Sequence, residues 1–176
     1  MKNQTSKKLV LAALFTALTC VATMSIRIPT PGTGGYIHPG DAVVILCGLF
    51  LDPITALLAA GIGSAMADLL GGYFFYVPIT LVIKGLIAFL GSRLFLTWRR
   101  KNGSHRVMPA VILCGVIDIV MVAGGYCFCE SFLYGFKAAL VSVPANLIQG
   151  ASGLIISSAL YPFLKLSSSK SPFTAD

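Results

Sequence analysis

The chain carries an uncharged run of 18 residues at positions 9–26, LVLAALFTALTCVATMSI. A helix of about 20 apolar residues can span the hydrocarbon core of a bilayer. The whole composition agrees, because 56% of the 176 residues are hydrophobic, 11% are charged and the mean hydropathy is +0.87. Soluble domains have roughly 25% charged residues, so these values exclude a soluble globular protein and indicate an integral membrane protein.

Further apolar segments follow this first run. The pattern predicts helices at Asp41–Leu51, Ile54–Leu70, Pro78–Trp98, Val107–Cys129 and Lys137–Leu164. The stretch 41–70 is compatible with one kinked helix or with two helices that turn at Leu51-Asp52-Pro53. We predict two helices and therefore an all-α fold with six transmembrane helices. Residues 1–8 and 165–176 would flank a membrane domain at 9–164.

The distribution of basic residues orients this prediction. With six spans and the N-terminus inside, ten of the 13 Lys and Arg residues fall on the cytoplasmic side, whereas Arg27, Lys84 and Lys137 fall on the outer half. Cytoplasmic loops of membrane proteins carry such an excess, so both termini are predicted to be cytoplasmic. The formal charge of +7 then reflects loop bias, and no nucleic-acid partner is expected.

Six spans leave no room for a soluble catalytic or nucleotide-binding domain, because they use roughly 120 residues. If the protein carries out an energy-dependent process, a partner protein would therefore have to supply the energy. The five cysteines lie within or beside apolar segments, where sulfur behaves as a small hydrophobic group, and we interpret them as free thiols. Their spacing is not that of metal ligands, so neither a metal nor a cofactor is expected.

Ionisable residues inside apolar segments are the sharper functional signal, since each costs roughly 2.5–3.5 kcal/mol at mid-span unless it finds a partner or lines a wet cavity. The chain has five of them: Asp41, Asp68, Lys84, Asp118 and Glu130. Asp118 lies at mid-span without an evident partner. The other four lie toward the predicted extracellular ends of their helices, and aromatic and amide side chains gather at the same level.

Such a gathering is typical of an outward-facing pocket, in which rings stack on a flat ligand and polar groups satisfy its edge. The candidate substrate-binding residues are Tyr36, His38, Asp41, Tyr73, Tyr76, Lys84, Tyr126, Glu130, Asn146 and Gln149. The tyrosines are equally compatible with an interfacial belt. A structural pair of Asp68 with Lys84 is favoured over ligand contact by either, whereas ligand contact is favoured for Asn146 and Gln149.

Small residues recur at helical spacing in two segments and predict close helix contacts. In the first segment Ala13 and Ala17 are equally compatible with a face that docks onto a partner membrane protein and with internal packing. In the third segment Ala59, Gly63 and Ala67 form the stripe, and internal packing is favoured.

The motifs at these residues resemble the substrate-binding S components of energy-coupling factor (ECF) transporters. The matching stretches lie in residues 9–164 and are Ile37-His38-Pro39-Gly40-Asp41-Ala42, Gly63 to Tyr73, Pro78 to Gly85, Gly125-Tyr126 to Glu130, Leu133-Tyr134-Gly135 and Pro144 to Gly150. Ala13 and Ala17 match the docking pattern Ala-x-x-x-Ala of that family, which favours the docking interpretation for the first helix.

The resemblance implies a subunit of the cell membrane that captures a water-soluble vitamin from outside and has no enzymatic activity. It also implies a lid after the first helix and, as partners, a transmembrane coupling protein and two cytoplasmic ATPases. The members of the family that this chain resembles are associated with riboflavin, with a hydroxymethylpyrimidine precursor of thiamine or with pyridoxine-type vitamers. Among these the sequence does not choose.

Two other functions are weaker alternatives. A self-sufficient facilitator is disfavoured because the two halves of the chain show no clear inverted repeat. An intramembrane enzyme acting on lipid would depend on Asp41, Asp68 and His38, which form no recognisable catalytic motif.

Overall fold

A computed structural model describes residues 2–30, 32–103 and 106–169, which form six helices and one short β-hairpin. The helices are α1 (Lys2–Ser25), α2 (Asp41–Phe50), α3 (Pro53–Gly71), α4 (Tyr76–Asn102), α5 (Met108–Tyr134) and α6 (Phe136–Ser169). The strands are β1 (Ile28–Pro29) and β2 (Tyr36–Ile37). The predicted helical fold is confirmed.

Within the described ranges, five helices are long and apolar enough to cross a membrane, all except α2. Helix α2 has ten residues and is therefore about 15 Å long, half of a hydrocarbon core. The sixth complete span stays a prediction.

The turn between α2 and α3 follows from three residues. Leu51 is extended, with ψ of 157°, and ends α2. Asp52 caps α3 because its carboxylate accepts hydrogen bonds from the amide and the hydroxyl of Thr55, at 3.2 and 2.9 Å. Pro53 occupies the first turn of α3, where it sacrifices no helical hydrogen bond. The prediction of two helices rather than one kinked helix is confirmed.

Three helices extend several residues beyond their predicted C-terminal ends. Helix α4 continues through Asn102, so the predicted loop at 99–106 is wrong in its first part. The cations of Arg99, Arg100 and Lys101 favour the C-terminal end of a helix dipole, and Gly103, with φ of +76°, ends it. Helix α5 runs five residues past Cys129 to Tyr134, and α6 runs five residues past Leu164 to Ser169. Ser104, His105 and most of the predicted tail, 170–176, lie outside the described residues.

The bundle has two distinct ends. At one end, which we call the hairpin end, β1 and β2 pair with Ile28 opposite Ile37 and lie over the helices. At the other end, the basic end, the Lys8 ammonium lies 3.8 Å from the Asp52 carboxylate. Trp98 donates a hydrogen bond to the carbonyl of Arg106 there, at 2.8 Å. Helices α1 and α2 therefore run in opposite directions between the two ends.

Helix α1 packs closely on α3 through the small residues of α3. Ala59, Gly63 and Ala67 are buried, and a Cβ atom at Gly63 would lie 2.5 Å from the carbonyl oxygen of Thr16. The internal-packing interpretation of this stripe is confirmed. Ala13 and Ala17 are exposed on α1.

Candidate functional site

The centre of the polar cluster is a buried ion pair between Lys84 on α4 and Asp41, the first residue of α2. Both side chains are fully buried. The other carboxylate oxygen of Asp41 accepts a hydrogen bond from the Gln149 amide nitrogen on α6, at 2.8 Å. The Gln149 amide oxygen accepts from the backbone N–H of His38, at 3.1 Å. This chain of contacts joins three helices to the hairpin segment.

The predicted pair of Asp68 with Lys84 is therefore wrong. Asp68 instead accepts a hydrogen bond from the Tyr36 hydroxyl of the hairpin, at 2.8 Å. Asp68 lies one helical turn from the end of α3, whereas Lys84 lies eight residues, about 12 Å, beyond the start of α4. The start of α2 reaches that depth because the hairpin segment descends into the bundle before Asp41.

A polar cavity lies between the hairpin and α3 to α6. It is lined by Thr30, Gly35, Tyr36, His38, Asp68, Tyr76, Thr80, Tyr126, Glu130, Asn146 and Gln149. Seven of the ten predicted binding residues line it. Asp41, Tyr73 and Lys84 do not line this cavity, and their predicted contact with a ligand stays a prediction. The volume of the cavity is about 20 Å³, which is room for one water molecule.

The cavity wall is rich in hydrogen-bond acceptors. Glu130 accepts from the hydroxyl of Tyr76, at 2.9 Å, and from the hydroxyl of Ser142. One carboxylate oxygen of Asp68 is buried with no hydrogen-bond partner among the described residues. None of the described lining residues is a lysine or an arginine. The wall can therefore accept hydrogen bonds from a ligand but offers it no cation.

The hairpin is held from its outer side by Tyr73 and Arg27. The ring of Tyr73 packs on that of Tyr36, with centroids 4.4 Å apart. The Arg27 guanidinium lies 5.2 Å from the Tyr36 ring and 5.8 Å from the Tyr73 ring, within cation–π range. Tyr73 therefore supports a wall residue and does not itself line the cavity.

Four lining residues were not among the predicted binding residues. The sequence favours a structural pair for Asp68, and Thr30 and Gly35 lie in a loop whose conformation a helical pattern does not predict. Thr80 could have been found, because it lies four residues from both Tyr76 and Lys84 and therefore on the same face of α4. Its hydroxyl hydrogen-bonds the Tyr126 hydroxyl, at 2.9 Å.

Asp118 on α5 is fully buried, and neither carboxylate oxygen has a hydrogen-bond partner among the described residues. The prediction that it lacks an evident partner agrees with this geometry. It does not line the cavity. Asp118 is therefore a useful control for substitutions of the carboxylates that do.

His38 belongs to the segment that connects the hairpin to α2. Its Nδ1 accepts a hydrogen bond from the Gly40 backbone N–H, at 3.1 Å. Burial lowers the pKa of His38 from 6.5 to about 4; Asp41 opposes this decrease, while Lys84 and Arg27 add to it. The imidazole is therefore neutral at physiological pH. Burial and the Asp68 carboxylate raise the pKa of the Tyr36 phenol, which stays a donor.

The hairpin segment packs over the cavity and buries His38. This packed state should become less stable in acid, relative to an open state in which the segment is released and His38 is exposed to water. A released His38 takes up a proton below pH 6.5, whereas the buried imidazole stays neutral until about pH 4. Between these values each unit of acidification favours opening by up to about 1.4 kcal/mol, or roughly tenfold. Hydrogen exchange of amides 33–40, corrected for its intrinsic pH dependence, should show protection that falls below pH 6.5 and is constant above it.

His38→Asn is the matched control, because the Asn side-chain oxygen can accept from Gly40 N–H but does not titrate. Its protection should not change over this pH range. A wild-type profile as flat as that of the variant would contradict the assignment of the acid sensitivity to His38.

Comparisons with known proteins agree with this architecture. A family model described as ECF-type riboflavin transporter, S component, matches residues 3–166. An uncharacterised protein of Pyrococcus woesei is 32% identical over 147 residues, which cover 82% of this chain and 93% of that protein. The thiamine precursor transporter HmpT of Lactococcus lactis subsp. cremoris (strain MG1363) is 26% identical over 166 residues, covering 94% of this chain and 92% of HmpT.

Two solved structures share the fold. The S component of a bacterial ECF transporter superposes with a TM-score of 0.66 at 18% identity, covering 93% of this chain and 98% of that one. The S component for biotin from an ECF-type ABC transporter superposes with a TM-score of 0.52 at 20% identity, covering 92% and 94%. Since the family model spans nearly the whole chain, the protein belongs to the family of ECF-type riboflavin transporter S components, and it is the S subunit of a vitamin transporter of the membrane.

Proposed function

We propose that this S subunit captures a small aminopyrimidine, the hydroxymethylpyrimidine precursor of thiamine, in the cavity beneath the hairpin. The observation that carries the proposal is the chemistry of the cavity wall. It presents the carboxylates of Asp68 and Glu130, no lysine or arginine is among its described lining residues, and the buried Lys84 is paired with Asp41. Such a site favours a neutral or cationic ring with amino groups that donate hydrogen bonds.

The same wall disfavours anionic vitamers. A carboxylate or phosphate placed beside Asp68 and Glu130 would be repelled and would lose its hydration without a compensating cation. The relative HmpT, named as a thiamine precursor transporter, supports the choice of an aminopyrimidine.

Riboflavin is the second candidate, because the matching family model is described by that vitamin. It is neutral and also tolerates an acceptor-rich wall. Its three fused rings and sugar-alcohol chain, however, require a much larger displacement of the hairpin than one ring does. A pyridoxine-type vitamer has a single ring but fewer amino donors, and we rank it third.

Entry of any ring requires the hairpin to move, because the cavity of about 20 Å³ holds only a water molecule. The hairpin is attached through side-chain contacts of Tyr36 and a backbone contact of His38. A few hydrogen bonds can open without unfolding α2. We propose that these contacts re-form over the bound ring.

We propose that both termini are cytoplasmic and that the hairpin end faces outward. The basic end then carries Lys7, Lys8 and the cations at 93–106, in agreement with the positive-inside rule. The short helix α2 crosses the membrane together with the hairpin segment, which descends from the outer surface. This arrangement gives six crossings with five full-length helices.

We also propose that the exposed face of α1 docks onto a transmembrane coupling protein that assembles with two ATPases. Ala13 and Ala17 lie on this face and would let a partner helix approach closely. We propose that the chain itself has no enzymatic activity and does not accumulate vitamin without these partners. Accumulation of vitamin only when the ATPases are present distinguishes the S subunit from a facilitator.

Binding of candidate ligands to the purified subunit tests the substrate. Titration calorimetry should show saturable binding of hydroxymethylpyrimidine at least tenfold tighter than of riboflavin or pyridoxine, a difference of about 1.4 kcal/mol. Nicotinate, a carboxylate ring of similar size, should not bind. Riboflavin binding as tightly as the aminopyrimidine would contradict the proposed substrate but not the S-subunit function.

Glu130→Gln should weaken binding of hydroxymethylpyrimidine by roughly 10- to 150-fold, because a hydrogen bond to a charged group contributes about 1.5–3 kcal/mol. Asn146→Ala should also weaken it. Asp118→Asn, a substitution of a buried carboxyl outside the cavity, should leave the affinity within about twofold. Unchanged affinity in both Glu130→Gln and Asn146→Ala would remove these residues from the site.

Replacement of both Ala13 and Ala17 by Leu should spare vitamin binding and abolish copurification with the coupling protein and ATPases, since larger side chains separate the helices. Ala159→Leu is the control, because Ala159 is exposed on α6, away from α1. Recovery of the complex at wild-type yield from the double variant would contradict the docking face.

A further inference from the structure

An open groove runs along one face of the last turns of α4, at the basic end and far from the polar cavity. It is a shallow surface groove, because all of its lining residues belong to this one helix: Arg93, Leu94, Thr97, Trp98, Lys101 and Asn102. These positions recur at intervals of three and four residues and therefore share one side of the helix. The groove takes no part in the binding site proposed above.

The polar part of the groove carries uncompensated positive charge. Arg93 and Lys101 are exposed, and neither has a carboxylate partner among the described residues. Of the carboxylates in the described ranges, Asp52 is the one at the basic end, and it lies beside Lys8. The two cations are therefore free to bind an anion.

Trp98 fixes the geometry between these charges. Its indole N–H donates to the Arg106 carbonyl at 2.8 Å, and its own carbonyl accepts from the Asn102 side chain at 3.2 Å. The indole contact holds the ring beside the groove, and the Asn102 contact joins the side chain of Asn102 to the same helical turn. Tryptophan is enriched at membrane–water interfaces, where one face is apolar and one edge is wet. The groove therefore lies at the level of lipid headgroups.

An apolar stripe continues from the groove toward the middle of the bundle. Val82, Leu86 and Leu90 are 53%, 39% and 41% exposed and lie four residues apart, in line with Leu94. One face of α4 thus presents an apolar track that ends in two cations. This surface is complementary to an amphiphile that has an apolar chain and a negatively charged head group.

We propose that this groove is a binding site for an anionic phospholipid. The phosphate lies between Arg93 and Lys101, the hydroxyl of Thr97 and the amide of Asn102 border the headgroup, and one acyl chain follows Leu94, Leu90 and Leu86. Charge complementarity selects an anionic lipid over a zwitterionic one, since a choline would place a third cation beside two unpaired ones. The site does not depend on which vitamin the subunit binds.

Trp98 is the single tryptophan of the chain, so its fluorescence reports on this site alone. The purified subunit would be reconstituted in phosphatidylcholine nanodiscs containing either dibrominated phosphatidylglycerol or dibrominated phosphatidylcholine at equal bromine content. Bromine quenches an indole within contact distance. Phosphatidylglycerol should quench Trp98 at least twofold more strongly than phosphatidylcholine. Equal quenching by the two lipids would overturn the proposal.

Two double variants distinguish a specific lipid site in the groove from a general attraction of anionic lipids to the basic end. Arg93→Gln with Lys101→Gln should abolish the preference for phosphatidylglycerol. Arg99→Gln with Arg100→Gln removes the same charge from exposed residues outside the groove and should keep it. Equal loss in both variants would mean unspecific attraction and would overturn the site. If the first variant does not fold, equal quenching of the wild-type Trp98 by the two lipids would still overturn the site.

Another occupant would give a different result. If the groove binds a protein instead, addition of the coupling protein and ATPases would shield Trp98 from acrylamide, while phosphatidylglycerol and phosphatidylcholine would quench it equally. That pair of results would overturn the lipid site.

Discussion

The buried ion pair between Lys84 and Asp41 is the interaction on which the rest of the site depends. A lone ammonium in the membrane interior is costly, and breaking a buried pair typically costs about 3–5 kcal/mol. Lys84 therefore requires the start of α2 beside α4. Since Gln149 bonds both Asp41 and the His38 amide, the same pair positions α6 and the hairpin segment. The pair also neutralises Lys84, so this ammonium offers no free positive charge to a ligand in the cavity.

Much of the fold could be predicted from the sequence, because hydropathy and helix-breaking residues are local signals. The turn at Leu51-Asp52-Pro53 is an example, since a capping carboxylate and a proline act over a few residues. Helix ends were predicted less well. Helix α5 stops at Gly135, which adopts φ of +86°, and not at Cys129, because nothing after Cys129 breaks the helix before that glycine.

The sequence predicted most of the residues that line the cavity, but it did not predict which side chains pair with one another. Polar residues in apolar helices are costly enough to mark a shared cluster, and seven of the predicted residues do line one cavity. The partner of Lys84 was wrong because sequence spacing gives the depth of a residue within its own helix only. Residues 38–40 enter the bundle and bring Asp41 to the same depth as Lys84. This position depends on tertiary contacts, and no local sequence pattern predicts it. The role of Tyr73 was missed for the same reason.

The structure of the subunit with bound hydroxymethylpyrimidine tests most directly whether the hairpin end encloses the ligand. An enclosed, acceptor-lined site predicts the ring beneath the hairpin, with its amino group toward Asp68 or Glu130 and with Lys84 still paired to Asp41. A ring bound at the basic end or on the exposed face of the helices would contradict this. So would a Lys84 side chain released from Asp41 to contact the ligand.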